Sequence, residues 1–227
     1  KAVLVEFHYD GENVDVLRKG IVYGVAPNRI ARVPGLTVAS LDLFEDALDS
    51  FTIRDPLYVD YMDPPGGGML DEATFTVVLP FHDYLRKVQI SDNRVKAELR
   101  EADVSKMLRT FCSEQDEDPQ CLRYVKRFNA AQYHFEKRLL RIPCLDAGID
   151  TTFWMDLELT RNGFLIKDFG KNPADYDADR NCAKLNLENK SIYVPSLDIR
   201  EEPTFWLYLR LGAKGILLKK WGVNKSR

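Results

Sequence analysis

FWMDLELTRNGFLIKDF, residues 153–169, places two short runs rich in apolar and aromatic residues on either side of Asn162-Gly163. Asn-Gly between two such runs is the favoured turn of a β-hairpin. Beyond this hairpin the sequence predicts a short helix near 178–187 and strands at 191–194 and 204–211. The order strand, turn, strand, helix, strand predicts an α+β fold for this part of the chain.

Two helices are predicted before the hairpin. The first is short, follows Asp103-Val104-Ser105 and carries its apolar residues on one face. The second begins with Asp118 as N-cap and Pro119 in the first helical position, and Pro143 ends it. Its apolar residues recur at helical spacing as one stripe: Cys121, Val125, Phe128, Phe135, Leu139 and Ile142.

The opposite face of this second helix is predicted to be basic. Its cations are Arg123, Lys126, Arg127, Lys137, Arg138 and Arg141. Such a face either binds an acidic partner or is simply solvated, with the acidic run just before the helix as its balance. Trp206 and Tyr208 are further binding candidates, because large residues on both sides of a strand form either core or an exposed aromatic ledge.

Residues 1 to about 100 predict strands without helices. Ala2–Tyr9 is rich in β-branched and aromatic residues and ends at the turn dipeptide Asp10-Gly11. Eight or nine short strands follow one another, separated by breakers such as Asp55-Pro56. Because there is no room for crossover helices, we expect an antiparallel, immunoglobulin-like β-sandwich over 1–100, followed by an α+β domain over 101–227.

All four cysteines lie in the second half of the chain. Cys112 and Cys121 flank a polar connector between the two predicted helices, so a disulfide would clamp a helical hairpin, and Cys144 would then pair with Cys182. Reduced structural thiols are the alternative. No C-x₂-C spacing supports zinc. Asp175, Asp177 and Asp179 lack the glycine and glutamate that complete an EF-hand loop, so we predict neither a metal nor a cofactor.

The bulk composition is that of an ordinary globular protein, with 45% hydrophobic and 30% charged residues and a net charge of −3. This charge provides no field that would attract nucleic acid. No run of roughly 18 apolar residues predicts a transmembrane segment. The chain starts at Lys1 without methionine, and either removal of a leader or trimming would produce that start.

The first half resembles the β-sandwich module that precedes the catalytic domain in some exported bacterial peptidases. The resemblance is carried by six short motifs: Phe7–Gly11, Leu41–Leu43, Ser50–Ile53, Asp55-Pro56, Ala73–Pro80 and Val88–Asp92. It implies a non-catalytic accessory role outside the cytoplasm. The metal-binding H-E-x-x-H helix of those peptidases has no counterpart in this sequence.

The second half resembles the C-terminal domain of TonB-type energy transducers. The matching segments are 155–159, Asn162-Gly163, 164–168, 179–187 and 205–209. This resemblance implies protein–protein contact in a bacterial envelope.

Together these features predict a non-catalytic, exported bacterial binding or assembly module, in the periplasm or outside the cell, with an envelope or extracellular protein as partner. The alternative is a hydrolase whose site lies between the two predicted units and uses scattered acids such as Asp156, Glu158 and Asp168. The histidines, His8, His82 and His134, are scattered too, and no G-x-S-x-G motif is present.

Overall fold

The computed structural model describes residues 1–26, 35–62, 65–94, 97–115, 117–174, 176, 178–201, 204–213 and 215–224. The protein is mostly β, with 57% strand and 9% helix. It divides into two compact units, Lys1–Tyr124 and Val125–Arg227, whereas the sequence analysis placed a division near residue 100.

The first unit contains three small antiparallel sheets. Their strands are β1 (Ala2–Tyr9), β2 (Val14–Val22), β3 (Leu36–Leu41), β4 (Ala47–Ile53), β5 (Tyr58–Met62), β6 (Pro65–Met69), β7 (Ala73–Pro80), β8 (Lys87–Asp92) and β9 (Ala97–Asp103). The sheet orders are β2-β1-β7, β4-β3-β8-β9 and β5-β6. Every second residue of β1 is buried, as expected for a strand with one face against the core.

Two short helices complete this part of the chain: α1 (Ser105–Ser113) and α2 (Pro119–Phe128). Asp118 caps α2 as predicted, because its Oδ1 accepts hydrogen bonds from the amides of Gln120 and Cys121, each at 3.0 Å. The Lys1 ammonium also contacts this carboxylate, and its hydrogen bond is the main reason why the pKa of Asp118 lies below its usual value. Burial raises the pKa of Tyr124 to about 12, and its hydroxyl donates to the Leu85 carbonyl at 3.1 Å.

The second unit is a closed seven-stranded β-barrel. Its strands are β10 (Ala131–His134), β11 (Leu139–Asp146), β12 (Thr152–Thr160), β13 (Gly163–Lys171), β14 (Ala183–Asn186), β15 (Ser191–Asp198), β16 (Phe205–Gly212) and β17 (Gly215–Val223). Six of them follow the order β11-β12-β13-β17-β16-β15. The four-residue strands β10 and β14 both bridge β15 to β11 and together fill the seventh position.

The barrel is built from an internal repeat with an offset of 52 residues. β10, β11 and β13 correspond in length and position to β14, β15 and β17, and β12 corresponds to β16. The residues that recur unchanged 52 positions later are Asn129, Ala131, Glu136, Pro143, Leu145, Asp146, Thr152, Phe153, Trp154, Leu157, Leu159, Gly163, Leu165, Lys167, Gly170 and Asn172.

Equivalent residues of the two repeats make equivalent bonds. The Asn172 side chain donates to the Pro143 carbonyl at 3.0 Å, and Asn224 donates to the Pro195 carbonyl at 3.0 Å. The closing parallel pairs correspond as well, because Ala131 pairs with Leu197 as Ala183 pairs with Leu145. The two halves are therefore related by an approximate twofold axis, which passes where Phe164 pairs with Ile216.

The barrel interior is filled by side chains from every strand, as expected for a small barrel. The buried apolar cluster contains Ala131, Leu140, Ile142, Leu145, Leu157, Phe164, Ala183, Ile192, Val194, Leu197, Leu207, Leu209 and Ile216. Cross-strand pairs such as Leu140 with Leu157 place both side chains on this inner face.

Both predicted disulfides are present. Cys112 pairs with Cys121 and links α1 to α2, with a Cα–Cα distance of 4.6 Å. Cys144 in β11 pairs with Cys182, just before β14, at a Cα–Cα distance of 4.7 Å. The second bond lies beside one of the two closing parallel pairs of the barrel.

The prediction of a β-sandwich followed by an α+β domain is wrong. The first hundred residues do form strands, but these belong to separate small sheets, and the second part is a closed barrel. Alternation along a strand shows which face is buried but not which strand lies beside it. Barrel closure depends on β14 and β10 pairing with β11 and β15, and no local pattern predicts that pairing.

Two helix predictions are also wrong. The helix expected to continue to Ile142 ends at Phe128, and β10 and β11 follow it. Pro143 does not end a helix but lies at a bulge in β11, where a proline is tolerated in a sheet. In the segment near 178–187, residues Ala183–Asn186 form the strand β14, whose parallel pairing with β11 outweighs the local helical pattern. The hairpin at 153–169 is confirmed as β12 and β13.

Candidate functional site

The barrel leaves part of two neighbouring strands without a partner strand. β13 and β17 pair only through Phe164 and Ile216, and from there they run in opposite directions beside β12 and β16. Among the strands that the structure describes, none pairs with the outer edge of residues 166–171, the β13 edge, or of residues 218–223, the β17 edge. Unpaired backbone N–H and C=O groups along such edges can accept another strand.

Large apolar side chains are exposed along both edges. Phe169 is 64% exposed and Trp221 is 60% exposed, although the Trp221 ring lies 6.0 Å from that of Phe205. The other exposed apolar residues here are Leu165, Ile166, Leu217, Leu218 and Val223. A concentration of such residues on one element is typical of an interaction surface, whereas scattered single ones are normal.

Lysines interrupt the apolar residues on both edges. Lys167 and Lys171 lie on the β13 edge, and Lys219 and Lys220 lie on the β17 edge. Lysine on an open edge discourages pairing with identical chains while leaving the backbone accessible.

Two glycines allow β13 and β17 to approach at their single pair. A Cβ on Gly163 would lie 2.7 Å from the Ile216 carbonyl oxygen, and one on Gly215 would lie 2.8 Å from that of Phe164. Both glycines also have a positive φ, of 116° and 131°, which favours glycine. Because neither glycine has a side chain, the two strands can come together at these positions. The open edges begin just beyond them.

The predicted aromatic candidates Trp206 and Tyr208 lie on the outer face of β16. Trp206 is half-buried because its indole covers Gly222 on the neighbouring strand, where a Cβ would lie 2.5 Å from Nε1. Trp154 covers Gly170 in the same way in the first repeat. Tyr208 lies between Tyr193 and Lys220 in the cross-strand register. Their binding role stays a prediction.

The predicted basic residues do not share one helical face. Arg123 and Arg127 lie on α2 and bind carboxylates: Arg123 Nε is 2.6 Å from Asp83, and Arg127 Nε is 3.1 Å from the buried Asp198. Lys126 is on the same helix, with its carbonyl accepting a bond from Asn181. Lys137 and Arg138 lie in the turn between β10 and β11, and Arg141 lies in β11. Their binding role also stays a prediction.

The acids of the alternative hydrolase reading lie on β12 and β13. Arg141 donates two hydrogen bonds to the buried Asp156 carboxylate, at 2.6 and 2.7 Å. Asp168 is opposite Asp156 in the register, and Glu158 is exposed two residues further along β12. The bidentate ion pair gives Asp156 a structural role, since it neutralises a carboxylate that would otherwise be buried alone.

The histidines bind local partners. His8 Nε2 lies 3.5 Å from Glu72, while His82 and His134 accept hydrogen bonds from the amides of Tyr84 and Lys137, each at 3.2 Å. The described ranges contain no group of three or more His, Cys, Asp or Glu residues that could hold a metal ion.

Asp175 and Asp177, part of the incomplete calcium loop, lie outside the described residues. None of the helices that the structure describes is long and apolar enough to cross a membrane.

The two open edges were not among the predictions from sequence. The signal that would have found them is the repeat: Gly163 and Gly215 head matching segments, FLIKDFG and ILLKKWG. Two copies of one strand in one sheet can meet head to head at a twofold axis, which leaves the far end of each copy unpaired.

The comparisons with known proteins found no relatives. No protein-family model, curated protein or solved structure matches this chain at a significant level.

Proposed function

We propose that the protein is a non-catalytic binding module that acts through protein–protein contact outside the cytoplasm, in the periplasm or extracellular space of a bacterium. Its binding surface is formed by the β13 and β17 edges, which take up an extended segment of a partner as an added strand. The observation that carries this proposal is the coincidence of open backbone edges with exposed large apolar side chains, Phe169 and Trp221 above all.

The disulfides support the proposed location. Cys112–Cys121 and Cys144–Cys182 account for all four cysteines of the chain. Disulfides persist in oxidising compartments and are rare in the cytosol. Iodoacetamide added to native protein without a reductant should therefore leave its mass unchanged, whereas alkylation of all four thiols would contradict the proposed location.

Strand addition is tested with peptides selected from a random phage-displayed library for binding to the whole protein. We expect a selected peptide to slow amide hydrogen exchange within residues 166–171 or 218–223. Ile166→Lys or Leu218→Lys should weaken its binding, because a charge facing inward at an edge opposes pairing. Leu187→Lys is the matched control, since Leu187 is 68% exposed in the turn between β14 and β15.

Protection of other amides, or equal binding by the edge variants and the control, would contradict the proposal.

A further inference from the structure

The two edges have large apolar residues at equivalent positions but carry different charges. Leu165, Ile166 and Phe169 correspond to Leu217, Leu218 and Trp221, so shape alone does not favour either edge. The polar positions around them have diverged between the repeats. Glu158 and Asp168 of the first repeat correspond to Arg210 and Lys220 of the second. The surface around the β17 edge is therefore basic, whereas that around the β13 edge carries both signs.

A shallow basic groove borders the start of the β17 edge. It is lined by Lys190, Arg210, Leu211, Gly212, Leu217 and Lys219. Arg210 and Leu217 are opposite one another in the register of β16 and β17, so both side chains lie on the outer face. Lys190 is held at the rim, because its carbonyl accepts the Leu211 amide at 2.7 Å.

The three cations of this groove have no counter-ion in the described part of the chain. Lys190, Arg210 and Lys219 form no salt bridge or side-chain hydrogen bond with another described residue. In the first repeat, by contrast, the equivalent positions hold Arg138 and Lys167 together with the acid Glu158. Like charges that line one groove repel each other, and a bound anionic group would relieve that repulsion.

We infer that the β17 edge is the one that takes the partner, and that the partner strand carries acidic residues alternating with apolar ones. This inference rests on the proposed strand addition. Side chains of an added strand alternate between its two faces. Those on the outer face would lie beside Arg210 and Lys219, and those on the inner face beside Leu218 and Trp221. An acidic, apolar β-strand satisfies both faces.

The repeat supplies a matched control for the test. Lys190 and Lys219 correspond to Arg138 and Lys167, so Lys190→Glu/Lys219→Glu and Arg138→Glu/Lys167→Glu make the same charge change at equivalent positions. The probes are a synthetic peptide of alternating valine and glutamate and its lysine counterpart. Binding is measured by fluorescence anisotropy at about 0.15 M salt, where charges more than about 8 Å apart are largely screened.

We expect the glutamate peptide to bind and to protect amides of residues 218–223. The lysine peptide should bind far more weakly. The pair Lys190→Glu/Lys219→Glu should weaken this binding several-fold, up to about 25-fold, since the loss of each exposed ion pair costs up to about fivefold. The first-repeat pair should change it less than about twofold.

Equal binding of the two peptides, or equal effects of the two double variants, would overturn the inference. The proposed function would survive that result if library-selected peptides still protect either edge, and would fail with it if they protect neither. Inorganic phosphate and phosphatidylglycerol vesicles form a third arm. If they bind with the same dependence on Lys190 and Lys219 while the glutamate peptide does not bind, the groove takes a phosphate group and the inferred acidic strand is wrong.

Discussion

The barrel should accept a second disulfide at the position equivalent to its natural one. Cys144 and Cys182 correspond through the repeat to Ser196 and Ala130, which are both buried and lie just before the second parallel closing pair. We therefore expect the Cα atoms of Ala130 and Ser196 to be about as far apart as the 4.7 Å that separates Cys144 from Cys182. Disulfides need a Cα–Cα distance of roughly 4.4–6.8 Å, so Ala130→Cys/Ser196→Cys should cross-link without moving the backbone.

The expected gain in stability follows from the loop that the new bond closes. The natural bond spans 38 residues, and the chain-entropy model gives about 4 kcal/mol for a loop of this length. The new bond spans a longer segment, and because the contribution grows only with the logarithm of loop length, we again expect about 4 kcal/mol.

The most informative variant moves the bond instead of adding one. Cys144→Ser/Cys182→Ala places at these positions the residues found at their equivalents and should lower the free energy of unfolding by about 4 kcal/mol. Adding Ala130→Cys/Ser196→Cys to that variant should restore most of the loss under oxidising conditions. Urea unfolding followed by tryptophan fluorescence reports on the barrel alone, because Trp154, Trp206 and Trp221 all lie in the second unit.

Unfolding in the presence of a reducing agent is the control. It should abolish the difference in stability between the moved-bond variant and the variant without a barrel disulfide. Introduced thiols that stay free to alkylation in the oxidised protein would refute the structural equivalence of the two closing pairs, and with it the approximate twofold symmetry. A bond that forms but leaves the urea midpoint unchanged would refute the loop-entropy argument alone.

Three further predictions concern single residues. Gly163→Ala and Gly215→Ala should each destabilise the barrel by about 1–3 kcal/mol in urea unfolding, because φ is positive at both positions and the new Cβ would meet a carbonyl oxygen. Gly20→Ala is the control, since Gly20 has open space around it, and equal effects of the three substitutions would contradict the close-approach argument. Arg127→Ala should lower the free energy of unfolding by about 3 kcal/mol or more, since it removes a cation from the buried Asp198. Arg123→Ala should lower it by less than about 1 kcal/mol, because the pair of Arg123 with Asp83 is half-exposed. A larger loss for Arg123→Ala than for Arg127→Ala would contradict this assignment. The pKa of Asp118 is lowered in the folded state, so its carboxylate contributes stability that is complete above the unfolded-state pKa of about 4 and is lost as the pH falls through the folded-state pKa. Amide exchange of Gln120 and Cys121 should therefore accelerate in acid in the wild type. Asp118→Asn, which keeps the cap, should remove most of that pH dependence.

Local signals in the sequence predicted local structure correctly. The Asn162-Gly163 turn, the Asp118 cap and the strands of the first hundred residues each depend on neighbours within a few positions. The disulfide partners were also predictable, because Cys112 and Cys121 flank a short connector, and pairing them leaves Cys144 with Cys182.

The helix predictions failed where an apolar spacing fits two periods. Phe128, Phe135, Leu139 and Ile142 fit a helical stripe, but no apolar member of that stripe falls between Phe128 and Phe135. The structure uses that interval to end α2 and start β10. In β11, Leu140 and Ile142 are buried inside the barrel on alternate positions, and the bulge that follows changes the phase of the pattern.

Because of the internal repeat, each barrel residue can be compared with its equivalent 52 positions away. This comparison separates features that both halves share from features that only one half has. Residues kept in both halves maintain the barrel: the glycines at the crossing, the tryptophans over Gly170 and Gly222, and the asparagines that bind Pro143 and Pro195. Features found in one half only are not needed for closure, since the other half closes without them. The Cys144–Cys182 bond is of this second kind, and so is Arg210, which stands beside Lys190 and Lys219 where the first repeat has Glu158. The bond stabilises the chain, whereas like charges in one groove repel each other, so the groove is where we propose that the partner binds.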